Sequence, residues 1–302
     1  MFQWKECATM LSNKKQIRSW FILVLTGFVL FTLANGFHYV SAATRSALHE
    51  GSEWLEGWRF RDHSRLETER IILHYPTEMR REAEAILRET EQVAEDFEEM
   101  FGFSPAKPVP VYLYPDRTSM QRRFSWPPDQ SATGVYYAGG IYLLNPEKWM
   151  GMALTDRSRN EWQRRFHEEG PLYHEFAHLY LDAATRGNVP RWYSEAFAQW
   201  VEYRAVGYEW RVPENRLDQH PIYSYPDLRD RFDHLSNKAM AYRQSFLFFK
   251  YQWDEEGWDA VQSLQQDLKR GLPFEVAWKR TYGESVEASF RSWQQAVNAR
   301  VR

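Results

Sequence analysis

The sequence His174-Glu175-Phe176-Ala177-His178 places two imidazoles and a carboxyl group in an otherwise apolar stretch of the chain. On a helix, residues four positions apart share one face, so both imidazoles can reach the same point in space. The flanking residues are apolar or aromatic on every side, and a helix of that kind is buried. Buried ionisable groups are unfavourable without a partner, and a zinc ion suits this spacing best. The simpler alternative is a core helix whose histidines bind backbone carbonyls or a carboxylate.

A third ligand is expected from the stretch that follows. The first helix can end near Gly187, and Pro190 favours the start of a second helix. Glu195 lies 17 positions beyond His178, so a short turn and a returning helix would bring its carboxylate opposite the two imidazoles. Two histidines, one glutamate and a water form the open tetrahedral site of a catalytic zinc. A structural zinc would need a fourth protein ligand, usually a cysteine, and no cysteine occurs nearby.

The segment around Glu195 carries a further pattern. Pro190, Trp192 and Ala198 accompany it as P-x-W-x-x-E-x-x-A. In these residues the chain resembles the gluzincins, the zinc peptidases whose third ligand is a glutamate. It is more closely similar to the extracytoplasmic peptidase MA-like metallohydrolases of bacteria. In their pattern a glycine follows the glutamate, whereas this chain has Ala196, which adds one methyl group where the two helices approach.

The resemblance extends more weakly over about residues 71–297. It implies a zincin-like fold, one Zn2+ ion and a peptide or protein substrate. The implied metal ligands are His174, His178 and Glu195. Two other functions stay open: a zinc amidohydrolase that acts on cell-wall peptides, and a non-catalytic binding or scaffold module that keeps the fold.

The remaining catalytic roles can be assigned to particular side chains. Glu175 directly follows His174, so its carboxylate would project beside the metal and could move a proton from water to the leaving amine. The developing oxyanion also needs a hydrogen-bond donor. Tyr242 is the first candidate, since a related helix supplies a tyrosine in some gluzincins. His220 and His234 are the alternatives.

Two polar residues are candidates for hydrogen bonds to the outer nitrogens of the ligand histidines. Gln199 lies one turn beyond Glu195, and Asp182 lies one turn beyond His178, where it could instead be an exposed helix-end residue. The stretch 134–144 reads as a hairpin around Gly139-Gly140. Its edge could bind an extended peptide through main-chain hydrogen bonds, or the hairpin could simply close a small sheet.

The amino-terminal region predicts export from the cytoplasm. Four basic residues precede an apolar run at 20–34, and small residues suitable for cleavage follow at 40–42. Residues 1–43 are therefore predicted to be a signal peptide or a signal-anchor helix that tethers the protein to the membrane; a buried core helix is the alternative. The single cysteine, Cys7, lies before this run, so the exported part has neither disulfides nor thiol chemistry.

The rest of the chain predicts an α+β fold. Residues 44–66 read as a linker, and residues 67–206 as a zincin-like catalytic lobe with a small mixed sheet and the active-site helices. Residues 207–302 read as a helical lobe whose breaks fall at Gly257, Gly271 and Gly283. The active-site cleft is expected between the two lobes.

Charge and composition exclude one class of partner. The formal net charge of the 302 residues is −3, and no basic patch stands out, so nucleic acid is not expected as a partner. The sequence therefore predicts a zinc-dependent metallopeptidase that acts outside the cytoplasm, either secreted or held by its amino-terminal helix.

Overall fold

The computed structural model describes residue 51 and residues 54–301, with side chains through residue 297. The predicted signal or anchor segment, residues 1–43, lies outside these residues. Among the helices that the structure does describe, none combines the length and apolar character needed to span a bilayer.

A five-stranded sheet in the order β1-β2-β3-β5-β4 forms the first part of the fold. Its strands are β1 (Ser64–Glu67), β2 (Ile71–Tyr75), β3 (Val109–Tyr114), β4 (Gly134–Tyr137) and β5 (Gly140–Leu144). The three central strands β2, β3 and β5 are parallel, while β1 and β4 run antiparallel at the two edges. The predicted small mixed sheet is thus confirmed.

Two local details differ from the sequence-based expectation. Strand β1 includes the last three residues of the stretch 44–66 that was predicted as a linker; it is four residues long and Leu66 is its one apolar residue, so its sequence shows no strand-like alternation. The hairpin turn is Ala138-Gly139, both with positive φ, rather than Gly139-Gly140. Gly140 instead pairs with Tyr137 as the first residue of β5.

Helices make up most of the remaining described chain; the first two lie between the strands and the others follow β5. They are α1 (Arg80–Phe101), α2 (Arg117–Phe124), α3 (Glu147–Met150), α4 (Arg159–Glu169), α5 (Leu172–Thr185), α6 (Arg191–Val206), α7 (Tyr225–Arg231), α8 (Lys238–Lys269), α9 (Phe274–Tyr282) and α10 (Val286–Val301). Beyond residue 207 the described chain contains helices and irregular segments but no strand, as predicted.

Helix α1 shows how the core is assembled around the sheet. Its buried residues Ala83, Ile86, Val93 and Phe97 recur at helical spacing and form one face, which packs against β2 and α5. Gly102 ends the helix in the left-handed conformation, with its N–H bonded to the last turn. The helix thereby covers one face of the sheet and gives α5 an apolar surface to lie on.

The carboxyl-terminal helices lie directly against the two helices predicted to carry the metal site. Helix α8 packs on both α5 and α6, and α9 and α10 pack on α8. Gly257 kinks α8 with a φ of 74°, Gly271 follows its last turn, and Gly283 caps α9. The predicted helix breaks therefore lie where glycine's left-handed conformation is needed.

Phe97 tests this account of the core. Its side chain is fully buried and its ring contacts the rings of Phe101, Phe176 and Tyr180. We expect Phe97→Ala to lower the free energy of unfolding by about 3–5 kcal/mol, because it removes a large buried side chain and leaves a cavity. Chemical denaturation measures this change. The control Val276→Ala, at a valine that is 53% exposed, should change the stability by less than about 1 kcal/mol.

Candidate metal centre

Helix α5 and helix α6 bring the predicted ligands face to face. Helix α5 begins after Pro171 and is apolar around most of its circumference, so it lies buried with His174, Glu175 and His178 on it. The chain turns at Arg186, which adopts the left-handed conformation, and α6 begins after Pro190. The helices run antiparallel, since His174 near the start of α5 contacts Glu202 late in α6, whereas His178, one turn farther along α5, contacts Ser194 near the start of α6.

The three predicted ligands converge on one point. Ligand atoms of His174, His178 and Glu195 all lie within 4.8 Å of one another. The Nε2 atom of His174 is 3.2 Å from Oε2 of Glu195, and Nε2 of His178 is 3.6 Å from Oε1. Glu195 is only 2% exposed, so its carboxylate is held inside the protein between the two rings.

The other ring nitrogens are each held by an oxygen. Nδ1 of His174 lies 3.0 Å from the Glu202 carboxylate, and Nδ1 of His178 lies 2.9 Å from the Ser194 hydroxyl. Hydrogen bonds at Nδ1 fix each ring so that Nε2 faces Glu195. Two imidazole nitrogens and one carboxylate oxygen, with outer partners in place, are the donor set of an open zinc site, so these residues fit a zinc ion.

The two Nδ1 atoms therefore have partners other than the predicted Asp182 and Gln199. Asp182 accepts a hydrogen bond from the Tyr136 hydroxyl at 2.8 Å, and the Tyr136 ring stacks on His178 with centroids 6.5 Å apart. Gln199 is buried, and its Nε2 has no hydrogen-bond partner. Helical spacing could have predicted Glu202 as a partner of the site, because it lies seven positions, or two turns, beyond Glu195 on the same helix face.

The ionisable groups of the cluster shift one another's pKa values. Burial acts to raise the pKa of Glu195, but His178, Arg191 and His174 outweigh it and hold that pKa at about 2. Burial lowers the pKa of His178 to about 3, so its ring is neutral at neutral pH and can act as a ligand. Burial also acts to lower the pKa of His174, but Glu202 and Glu195 outweigh it and hold the pKa well above its usual value. A bound cation would take the place of that proton between the two carboxylates.

Glu175 lies beside this cluster and has a partner of its own. The backbone N–H of Tyr136 donates to its Oε2 at 2.6 Å, and burial raises the pKa of its carboxyl to about 7. A Cβ atom at Gly134 would lie 2.9 Å from Oε1 of Glu175 and 2.6 Å from Cβ of Pro171. Only glycine lets the edge strand β4 pass this close to α5, and the approach positions the Glu175 carboxylate.

Tyr242, the predicted oxyanion donor, lies at the edge of the site on α8. Its side chain lies beside that of Arg191, and Nη1 of Arg191 lies 2.8 Å from Oε1 of Glu195. Of the two alternatives, His220 lies 3.2 Å from the carbonyl oxygen of Pro213 and His234 is exposed. Arg191 itself was missed, although it lies one helical turn before Glu195.

Glu202 gives a test of this geometry. We expect Glu202→Ala to weaken zinc affinity by roughly 10- to 100-fold, because the His174 ring loses the carboxylate that orients it. Competition with a chromophoric chelator measures the affinity. Glu214→Ala, at an exposed glutamate in the short 3-10 helix Pro213–Asn215, is the matched control and should bind zinc as the wild type does. Equal affinity in the two variants would show that Glu202 does not support the site.

Comparison with known proteins agrees with this geometry. None of the curated proteins matches the chain. The sequence profile of the peptidase MA superfamily matches residues 90–299, which is more than half of the chain. The matched region contains α5, α6 and Tyr242, and its members are zinc-dependent peptidases of the gluzincin kind. With this match added to the His-His-Glu cluster, the chain belongs to the peptidase MA superfamily.

Proposed function

We propose that this protein is a zinc-dependent metallopeptidase that hydrolyses peptide bonds with Glu175 as its general base. The observation that carries the proposal is the convergence of His174, His178 and Glu195 within 4.8 Å, with the Glu175 carboxylate beside them. A zinc ion held by the three ligands would supply an activated water and polarise the substrate carbonyl.

The protein's own residues perform the proton transfers. Glu175 accepts a proton from the attacking water and passes it to the nitrogen of the leaving amine. The Tyr136 N–H holds one oxygen of that carboxylate at 2.6 Å, which fixes the direction in which the proton is taken up. A carboxyl group with a pKa of about 7 suits both uptake and release of a proton near neutral pH.

The substrate is proposed to bind along β4. This strand is the outer edge of the sheet, and its backbone lies next to the H-E-x-x-H helix. An extended peptide can add to such an edge through main-chain hydrogen bonds, with little demand on its side chains. This mode of binding would bring a peptide bond alongside Glu175.

The wider organisation is part of the same proposal. Residues 67–206 would form the zincin-like catalytic lobe, and residues 207–302 the helical lobe that brings Tyr242 to the site. The basic residues and apolar run within residues 1–43 support export, with the protein either released after cleavage or anchored in the membrane. The site would then act on peptides or proteins outside the cytoplasm.

Glu175→Gln tests the proposed base. We expect the variant to keep one zinc ion per chain and to lose peptide hydrolysis by at least about 100-fold, because glutamine cannot accept the proton. Mass spectrometry of a peptide mixture before and after incubation measures cleavage, and elemental analysis measures zinc.

Two further samples complete the experiment. Glu195→Ala should lose zinc as well as activity, and wild-type protein treated with chelator should regain hydrolysis when zinc is restored. Full activity in Glu175→Gln would exclude Glu175 as the base. A zinc-loaded wild type that cleaves purified peptidoglycan but no protein or peptide would instead identify a cell-wall amidohydrolase, and one that cleaves neither would identify a binding module.

A further inference from the structure

Arg191 is the residue near the metal centre whose role the proposed mechanism leaves open. It is the first residue of α6, one turn before Glu195, and its guanidinium Nη1 lies 2.8 Å from Oε1 of that ligand. The side chain is 51% exposed, whereas that of Glu195 is 2% exposed. Arg191 therefore stands between the buried ligands and the solvent from which a substrate must arrive.

Residues from two other elements lie next to the guanidinium. The Tyr242 side chain on α8 lies close enough to interact with it electrostatically, and the Asp233 carboxylate lies 3.6 Å from its Nε, beyond hydrogen-bond range. A guanidinium has five N–H donors, and these three partners, Glu195 included, do not use them all. Arg191 can therefore keep its present contacts and still donate to a further oxygen.

The charge balance favours an anionic oxygen as that further partner. Glu195 is the carboxylate in closest contact with Arg191, and a bound dication would draw on the same negative charge. The positive charge of Arg191 would then be poorly compensated, because Asp233 is 62% exposed and makes no hydrogen bond to the guanidinium. Arginine stays protonated throughout the physiological pH range, so a negatively charged partner would stabilise it at any of these pH values.

On the basis of the proposed function, we infer that Arg191 is a catalytic residue. Together with Tyr242, it donates a hydrogen bond to the oxyanion formed during hydrolysis. When water attacks the carbonyl carbon, the C=O π electrons move to the carbonyl oxygen, which becomes negative. Arg191 and Tyr242 stabilise that oxygen. Collapse of the intermediate re-forms C=O and breaks the C–N bond, and the amine nitrogen takes the proton that Glu175 removed from water.

Kinetics of Arg191→Ala and Arg191→Lys test the inference. A quenched fluorescent peptide that the wild type cleaves is the substrate, and a phosphinic analogue of the same peptide is the transition-state probe. Loss of an oxyanion donor should lower kcat of Arg191→Ala by about 100- to 1,000-fold, with KM within about threefold of wild type. Inhibition by the analogue should weaken as kcat/KM falls. Arg191→Lys should recover part of kcat, since lysine keeps the charge but loses the planar fork.

Measurements of zinc content and folding distinguish a role of Arg191 in catalysis from a role in holding the metal ligand Glu195. Elemental analysis and circular dichroism should show wild-type zinc and structure in both variants. The control Arg216→Ala removes an exposed arginine that pairs with Asp218 and should leave kcat unchanged. Loss of zinc from Arg191→Ala and Arg191→Lys alike would overturn the inference, since Arg191 would then act on Glu195.

Two kinetic outcomes would also overturn it. One is a kcat for Arg191→Ala equal to that of wild type. The other is a KM that rises only for peptides with a free terminal carboxylate, which would show that Arg191 binds that carboxylate of the substrate. In both cases the wild type is active, so the proposed function stands. A zinc-loaded wild type that cleaves no peptide would overturn the proposed function and this inference together.

Discussion

The burial of the Glu195 carboxylate against two imidazoles is the constraint on which the rest of this structure depends. A buried carboxylate is unfavourable unless positive charge or hydrogen-bond donors surround it. Here His174, His178 and Arg191 supply both, and they hold its pKa at about 2. The arrangement requires α5 and α6 to lie antiparallel at close range, which explains the small and aromatic residues buried along both helices.

The other elements serve that pair of helices. The sheet gives α1 and α5 a surface to pack on, and its edge strand β4 approaches α5 so closely that Gly134 has no room for a side chain. Helix α8 packs on both α5 and α6 and brings Tyr242 to Arg191. The residues that would carry out chemistry thus come from three helices and one strand, each held rigid by an apolar core. Such rigidity is what a site with pre-positioned ligands requires.

Spacing rules predicted the parts of the site that lie on a single helix. His174 and His178 follow from helical geometry, and the helix that bears Glu195 follows from the proline that starts it. Contacts between elements could not be predicted in the same way. Ser194 and Glu202 reach the histidines only because of how α6 turns against α5, and β1 has too few buried residues to give a strand pattern. The parallel pairing of β2, β3 and β5 depends on crossovers that local sequence does not encode.

A crystal structure of the zinc-loaded protein, with anomalous data collected on both sides of the zinc edge, would show whether His174, His178 and Glu195 bind one ion. We expect one strong anomalous peak at about 2.0–2.2 Å from Nε2 of His174, Nε2 of His178 and one carboxylate oxygen of Glu195, with a water as the fourth ligand. A peak bound elsewhere, or one that lacks Glu195 in its coordination sphere, would contradict this expectation.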